Sequence, residues 1–302
     1  MSNRAQSGER CSDLSLAAGE ALGATATTAE RWLLVEVSGA WPRDVTDGTA
    51  LPDGARETVA AWLGSTRRRR LQFMRRPGRK GAQLLAFVVR AEETRGEVRR
   101  IELGSLVDLA RLDLDSAGDT VETSLVLVCG HGSRDRCCAL RGTELFTLLE
   151  GRLSEEELWI SSHQGGHRFA PNLLVLPAGL QFGRVPQEDA LFLTAQALAG
   201  KIELESYRGR TCYDGIVQAA ELTVRRAAGL EGVSELFLEA VEDAVVTFRT
   251  SEGSEFTVVV EEVFGPRVPA SCGAEPETQP HFVASSVTVN PGRIPAADMR
   301  DR

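Results

Sequence analysis

Side chains able to bind a metal occur together at two places in the 302-residue chain. The first segment, from Cys129 to Cys138, reads Cys-Gly-His-Gly-Ser-Arg-Asp-Arg-Cys-Cys, and the second, from His163 to His167, reads His-Gln-Gly-Gly-His. Thiolates and imidazoles are the groups that bind zinc and iron–sulfur clusters in proteins. Because two of only four histidines lie in the second segment, we interpret His163 and His167 as metal ligands beside Cys129 and Cys138.

The two histidines have the spacing of a zinc-protease helix but not its other features. In that helix a glutamate follows the first histidine and acts as the base. Gln164 stands at this position, and Gly165 and Gly166 each disfavour a helix by roughly 1 kcal/mol. Glycines instead let a backbone pass close to a bulky ligand. We therefore predict a tight loop that turns both imidazoles toward one metal centre.

The cysteines raise the question of which thiol binds. Cys138 lies near the expected start of a helix, where the positive helix end favours the thiolate. Adjacent cysteines point in different directions, so we assign Cys138 as the ligand and Cys137 as a small buried side chain. Cys272 lies in a Ser-Cys-Gly segment of the tail; we interpret it as a loop cysteine, with a redox or ligand role as the alternative.

Two cysteines and two histidines are compatible with three kinds of chemistry. Structural zinc fits the ligand set, and so does a two-iron cluster in which histidines replace cysteines on one iron. Thiol–disulfide chemistry is the weakest alternative, because the chain has no Cys-x-x-Cys pair. A Rieske domain would show two Cys-x-His motifs, and only Cys129-Gly-His131 matches. Spacing alone does not separate zinc from iron–sulfur.

Both ligand segments follow short apolar runs that we predict to be strands. Ser124–Val128 is a continuous apolar run, typical of a strand buried on both faces, and Leu158–Ile160 precedes the histidines. A helix is predicted between them, over Ala139–Leu153. Because adjacent strand ends lie close in space, we expect the two loops to converge in an α/β fold.

The apolar runs and turn residues along the chain predict four segments. They are a polar N-terminal lead (1–29), a small α/β unit (30–115), the α/β domain that carries the ligands (116–230) and a β-hairpin extension with a tail (231–302). In the second segment, Leu71–Arg75 and Leu84–Arg90 are predicted as strands around the turn Pro77–Gly81. Further helices are predicted at Pro186–Leu198 and Thr211–Ala228.

Composition limits the classes of function. A net charge of −9 and a pI of about 5.2 argue against a general nucleic-acid binder. The sequence shows neither a secretory signal nor an apolar run near the roughly 18 residues of a membrane span, so we expect a cytoplasmic protein that does not enter the membrane. One basic island interrupts the acidic chain. We interpret it as a solvated face or as a docking patch for an acidic redox partner or an anionic cofactor. It comprises Arg67, Arg68, Arg69, Arg70, Arg75, Arg76, Arg79 and Lys80.

The sequence resembles the sucrase/ferredoxin-like family, relatives of thioredoxin-like [2Fe–2S] ferredoxins. The resemblance rests on Cys129–Cys138 and on Ser162–Asn172 with Leu176-Pro177, and it spans roughly residues 10–228. It continues through further short matches at Gly183–Val185, Tyr207–Arg210 and Gln218–Glu221, with N-terminal landmarks at Trp32–Glu36 and Arg75–Gly78. It implies a thioredoxin-like ferredoxin domain at 116–230.

The resemblance also implies the cofactor. Cys129 and Cys138 would hold one iron of a [2Fe–2S] cluster, and His163 and His167 the other. Neutral histidines make such a cluster less negative and raise its potential. The side chains that we expect to tune it are His131, Arg134, Asp135 and Arg168.

The expected function is one-electron transfer rather than catalysis. No glycine-rich dinucleotide fingerprint follows a predicted strand. The electron donor is therefore expected to be a separate protein, such as an NAD(P)H-dependent reductase. A zinc-binding module without redox activity and a thiol- or cluster-dependent oxidoreductase are the alternatives.

Overall fold

The computed structural model describes residues 10–47, 49–79 and 83–291. Its α-helices are α1 (Cys11–Ala17), α2 (Asp53–Gly64), α3 (Arg136–Leu149), α4 (Ala190–Leu198) and α5 (Gly215–Ala228). Short 3-10 turns occur at Leu106–Arg111, His167–Phe169 and Val233–Glu235. The strands are β1 (Arg31–Glu36), β2 (Arg69–Arg75), β3 (Leu84–Ala91), β4 (Gly96–Leu103), β5 (Asp119–Val121), β6 (Leu125–Cys129), β7 (Leu158–Ser161), β8 (Leu173–Leu176), β9 (Leu180–Phe182), β10 (Tyr207–Arg210), β11 (Leu236–Glu242), β12 (Val245–Thr250), β13 (Glu255–Pro269) and β14 (Pro276–Asn290).

The first ten strands form one mixed sheet in the order β10-β9-β8-β6-β7-β2-β1-β3-β4-β5. Strands β6 and β7 are parallel neighbours, and Cys129 at the end of β6 pairs with Ser161 at the end of β7. The two loops that carry the predicted ligands therefore leave the same edge of the sheet side by side. The α/β class predicted from the alternating elements is confirmed.

Both faces of the central strands are buried. In β6, Val126 and Val128 face a core shared with the helices, whereas Leu125 and Leu127 face a second core containing Trp32. This two-sided burial explains why β6 reads as a continuous apolar run rather than as an alternating one. Burial of each such side chain contributes about 1.5–3 kcal/mol, so β6 is a rigid support for Cys129.

The C-terminal strands form a separate antiparallel sheet in the order β11-β12-β13-β14. Val246, Phe248 and Val258 of this sheet pack with Val217 and Val224 of α5 in a third core. The predicted C-terminal hairpin is confirmed, and it is extended by β11, which the sequence analysis missed. Among the described residues, no helix combines the length and the apolar character needed to cross a lipid bilayer.

The prediction of adjacent strands around the turn Pro77–Gly81 was wrong in its pairing. Strand β1 lies between β2 and β3, parallel to the former and antiparallel to the latter. Trp32–Glu36 of β1 are fully buried, so this apolar segment requires a neighbour on each side. Residues 80–82 of the predicted turn lie outside the described residues.

Local boundaries also differ from the sequence expectations. The polar N-terminal lead contains α1, whose Cys11 and Ser15 are buried. Helix α5 starts at Gly215 because Asp214 caps it by accepting a hydrogen bond from the backbone N–H of Val217, and α4 starts only at Ala190. The division of the chain into four segments stays a prediction, and the ten-stranded sheet contains strands from both central segments.

Candidate metal centre

The four predicted ligands come together at the edge of the sheet. Cys129 ends β6, Cys138 lies in the first turn of α3, and His163 follows β7. One ligand atom from each of these three residues lies within 4.8 Å of the other two. His167 is not in that tight group, but its ring centroid lies 4.7 Å from the ring centroid of His163. The predicted convergence of the two loops is therefore present in the structure.

Helix α3 reaches the site because it packs directly on the backbone of β6. A Cβ added at Gly142 would lie only 1.9 Å from the carbonyl oxygen of Cys129 and 3.3 Å from the Cα of Gly130. Only glycine permits this approach, since those atoms belong to the backbone of a buried strand. The contact fixes the start of α3, and with it Cys138, against Cys129.

The start of α3 is capped by a buried carboxylate. Asp135 accepts a hydrogen bond from the backbone N–H of Cys137 at 2.7 Å, as an N-cap residue does. Burial alone would raise the pKa of Asp135, but the backbone N–H groups of Cys272 and Cys137 lower it below its usual value. The carboxylate also lies 4.0 Å from Nε2 of His167. Asp135 therefore combines a structural role with contact to a predicted ligand.

A hydrogen bond couples the two predicted cysteine ligands. The hydrogen bond from Cys138 lowers the pKa of Cys129 well below its usual range, and a hydrogen bond from His163 acts in the same direction against the effect of burial. The same bond to Cys129, together with burial, raises the pKa of Cys138. The pair therefore favours ionisation of Cys129 over that of Cys138, and the thiolate is the form that binds a metal.

The histidine loop has the tight geometry expected from its glycines. Gly165 and Gly166 have φ angles of +90° and +65°, and a Cβ at Gly166 would lie 2.5 Å from Nη2 of Arg208. The side chain of Gln164 anchors the loop by donating to the carbonyl of Leu127 at 2.8 Å. The loop is therefore held on the sheet by its middle residues while His163 and His167 flank it.

His131 holds the loop in place without joining the tight group of ligand atoms. Its Nδ1 accepts a hydrogen bond from the backbone N–H of His163 at 3.1 Å. Its Nε2 lies 2.9 Å from the carbonyl of Pro42, which makes Nε2 the protonated nitrogen. Burial lowers the pKa of His131, so the ring stays neutral and its Nδ1 remains an acceptor. His131 thus fixes the position of a predicted ligand.

His167 has the properties of a metal ligand. Burial, followed by the nearby His163, lowers the pKa of His167 to about 4, so the ring is neutral at physiological pH. Both nitrogens of His167 and Nδ1 of His163 are buried without a hydrogen-bond partner among the described residues. Buried polar atoms are normally satisfied, and metal ions coordinate neutral imidazoles. The donor set therefore fits a metal centre.

Arg208 is a buried residue that the sequence analysis did not single out for the site. Its guanidinium donates to the carbonyl of Gly165 at 3.0 Å and to Oδ1 of Asn172 at 2.9 Å. Burial lowers the pKa of Arg208 to about 9, which leaves it charged near Cys129 at neutral pH. The Tyr207–Arg210 match noted above was the available signal. Arg208 therefore supports the loop and supplies positive charge close to the predicted thiolates.

Arg134 and Arg168 occupy different environments. Arg134 lines a surface cleft of about 280 Å³ together with Arg43, Arg70 and His163. Arg168 forms an ion pair of 2.7 Å with the buried Glu20. The charge of Arg168 is therefore compensated inside the chain by Glu20.

The basic island is spread over several local contacts rather than forming one patch. Arg69 pairs with Asp115, Arg79 pairs with Glu36, and the Arg76 guanidinium donates to the carbonyl of Leu158. Arg70 points toward the candidate centre and donates to the carbonyl of His163 at 3.2 Å. Lys80 lies outside the described residues. Of this island, Arg69 and Arg70 line the cleft beside His163.

Comparison with known proteins shows the family of the chain. The profile of the sucrase/ferredoxin-like family matches residues 22–209, which include all four predicted ligands. The chain belongs to the sucrase/ferredoxin-like family. The match ends before α5 and the C-terminal sheet, so the family assignment rests on the ten-stranded sheet and its site.

Individual relatives match a shorter part of the chain. Altered inheritance of mitochondria protein 32 of Eremothecium gossypii is 36% identical over 99 residues, which are 32% of this chain and 31% of that protein. The protein of the same name from Meyerozyma guilliermondii is 32% identical over 99 residues, or 30% of this chain and 35% of its own length. The match thus spans about a third of these relatives. No solved structure matches the chain significantly.

Proposed function

We propose that this sucrase/ferredoxin-like protein binds a [2Fe–2S] cluster through Cys129, Cys138, His163 and His167 and acts as a one-electron carrier. The observation that carries the proposal is the meeting of two strand-end loops, which brings three ligand atoms within 4.8 Å and a second imidazole beside them. When bound, the cluster supplies reversible uptake and release of one electron. The family name is consistent with a ferredoxin-like role.

Family membership, rather than the spacing of the ligands, favours two irons over a single zinc ion. Around one tetrahedral zinc, all four ligand atoms lie within about 4 Å of one another, as bond lengths of about 2.0–2.3 Å require. Ligand atoms of Cys129, Cys138 and His163 lie within 4.8 Å of one another, and His167 lies outside that group. A cluster with thiolates on one iron and imidazoles on the other requires His163 to stand beside His167 and away from both cysteines.

The strand arrangement supports the thioredoxin-like description. The four strands around the site have the order β7-β6-β8-β9, with β6 and β7 parallel. Strands β8 and β9 run antiparallel to their neighbours. We infer that this unit is the thioredoxin-like core and that β1–β5 extend its sheet on the β7 side.

The residues of the chain give the site a buried side and an exposed side. Cys129 and Cys138 are buried, whereas His163 is partly exposed at the cleft that Arg134 also lines. Electrons therefore have their shortest path to a partner through the His163 side. The lowered pKa values of His167 and Cys129 favour the forms that bind a metal, while His131 and Gln164 hold the loop.

The cleft beside His163 favours a redox partner with an acidic surface. We call its positive border the arginine rim; it consists of Arg43, Arg70 and Arg134. Arg69 also lines the cleft but is paired with Asp115, and Asp44 adds one carboxylate. Oriented charges of this kind steer association and make it dependent on salt. A separate NAD(P)H-dependent reductase with acidic residues at its docking face is the proposed donor.

The test of the cofactor is spectroscopic. The protein is purified without oxygen, and its visible absorption and electron paramagnetic resonance are recorded before and after reduction. The expected result is a reddish-brown protein with the signal of a reduced two-iron cluster. The His163→Cys variant should keep the cluster, lower its potential and change the signal, because a thiolate replaces a neutral imidazole. A colourless protein that contains zinc would refute the proposal.

The test of the carrier role uses anaerobic mixing with an NADPH-dependent ferredoxin reductase. The wild-type protein should be reduced in this mixture. Replacement of Arg43 and Arg134 by glutamine should slow the reduction and weaken its dependence on salt. The double variant Arg152→Gln with Arg226→Gln, at two exposed arginines outside the cleft, serves as a control with the same charge change. Absence of reduction by any donor protein would contradict the carrier role.

A further inference from the structure

A second group of side chains able to bind a metal lies next to the proposed cluster site. It contains Cys11 from α1, Cys137 from α3, Cys272 from the loop between β13 and β14, and the carboxylate of Asp135. One ligand atom from each lies within 4.8 Å of all the others. We propose that these four residues form a second metal site, which binds one zinc ion through three thiolates and one carboxylate.

The distances within the group are close to those of a tetrahedral zinc site. The sulfur–sulfur distances are 3.5 Å for Cys11 and Cys137, 3.3 Å for Cys137 and Cys272, and 3.6 Å for Cys272 and Cys11. Around a tetrahedral zinc with Zn–S bonds of about 2.3 Å, two sulfurs lie about 3.8 Å apart. The three thiols thus stand near the corners of one face of a coordination tetrahedron.

The carboxylate provides the fourth corner. Oδ1 of Asp135 lies 3.3 Å from the Cys272 sulfur, and its two oxygens lie 3.8 and 3.7 Å from the Cys11 sulfur. In a tetrahedral site with one oxygen ligand the corresponding distance is about 3.5 Å. A fourth ligand from the protein closes the coordination shell, as in structural rather than catalytic zinc sites.

A cation would also compensate the buried carboxylate. The Asp135 side chain is 0% exposed and lies 4.0 Å from Nε2 of His167. Two backbone N–H groups, from Cys137 and Cys272, satisfy the carboxylate partly, and buried charges are otherwise paired or coordinate a metal.

The surroundings allow zinc to enter and help to balance the charge of the thiolates. An open cavity of about 740 Å³ reaches Cys11, Asp135 and Cys272 from the surface. Four arginines line the same cavity: Arg10, Arg43, Arg134 and Arg136. Zinc binding releases the thiol protons to solvent, and the arginines offset the negative charge that remains on the complex.

The proposed zinc would join three parts of the chain that are far apart in sequence. Cys11 precedes Cys137 by 126 residues, and Cys272 follows Cys137 by 135 residues. The site therefore fixes α1 and the β13–β14 loop on the first turn of α3, next to the predicted ligand Cys138. This role is structural and does not depend on the proposed electron transfer.

The test measures zinc in the full-length protein with its cluster loaded. Metal analysis of the anaerobically purified wild type should give about one zinc per chain in addition to iron. Cys272→Ser should lose this zinc, and Cys11→Ser should do the same, without loss of the visible absorption of the cluster. Cys212→Ser is the matched control, because Cys212 is a buried cysteine outside both groups.

Cobalt provides a second measurement that does not depend on the purification. Addition of Co²⁺ to zinc-depleted wild type should give the ligand-field bands of tetrahedral cobalt and a sulfur-to-cobalt charge-transfer band, and Cys272→Ser should not. Cys272 is the partly exposed member of the group, so its serine variant is expected to fold, which circular dichroism checks. Zinc or cobalt binding equal in wild type and Cys272→Ser, or a disulfide between two of the three cysteines in the native protein, would overturn the proposal.

Discussion

The contact between Gly142 and the Cys129 backbone leads to a prediction that connects stability with cofactor binding. In Gly142→Ala, the new Cβ would lie 1.9 Å from the Cys129 carbonyl oxygen. This distance is more than 1 Å shorter than 3.0 Å, the closest approach that Cβ atoms normally make. The blocking atoms belong to a buried strand, so α3 has to move. Overpacking of this kind costs about 1–3 kcal/mol. The higher helix propensity of alanine offsets only about 1 kcal/mol of this destabilisation.

The displacement of α3 also separates Cys138 from Cys129. We therefore expect Gly142→Ala to unfold at a lower urea concentration and to be purified with little visible absorption from the cluster. Gly64→Ala is the matched control, because Gly64 is also helical and a Cβ there meets no atom within 4 Å; this variant should be neutral or slightly more stable. If Gly142→Ala retains both wild-type stability and the full cluster content, the geometry inferred for α3 is wrong.

Three further predictions concern the groups around the centre. His131→Ala leaves the His163 N–H without its acceptor, so the free energy of unfolding should fall by about 1–3 kcal/mol. The visible absorption of the cluster should also decay faster in the presence of a chelator. An unchanged decay would argue against a positioning role for His131. The pKa of His167 is lowered to about 4 from a usual value of 6.5, so the cluster-free protein should lose stability as the pH falls from about 6.5 to about 4. In urea titrations over this pH range, His167→Asn should lose less stability than the wild type. The pKa of Glu20 is lowered to about 2, because hydrogen bonds with His281, Ser15 and Arg168 outweigh the effect of burial. The ionised Glu20 therefore contributes fully to the stability of the fold above about pH 4.5, and this contribution is lost as the pH falls through about 2. An acid-unfolding curve of Glu20→Gln that matches the wild type would refute this assignment.

The parts of the fold with a strong local signal could be predicted from the sequence. The apolar runs around Leu125 and Leu173 specify buried strands, and the glycines after His163 specify a loop rather than a helix. The pairing of β2 with β1 instead of β3 could not be predicted, because register in a mixed sheet depends on contacts between distant segments. Strand β10 was missed because Tyr207–Arg210 carries two arginines, whose burial is explained only by their tertiary partners.

The candidate centre could be predicted because its ligands lie in two short segments with a strong local signal. The residues that surround it could not be predicted in this way. The types and spacing of Cys129, Cys138 and the two histidines were sufficient to propose a common centre. Cys137 was correctly expected to be buried, but nothing in the sequence indicated that Cys11 and Cys272 would meet it. Contacts across more than a hundred residues arise only when the sheet, α1 and the C-terminal strands are assembled.

The amount of iron and acid-labile sulfide in the anaerobically purified protein tests the central claim most directly. We predict about two iron atoms and two sulfides per chain in the wild type, and loss of both in a Cys129→Ser variant whose circular dichroism is unchanged. A wild-type preparation that contains neither iron nor sulfide would contradict the account.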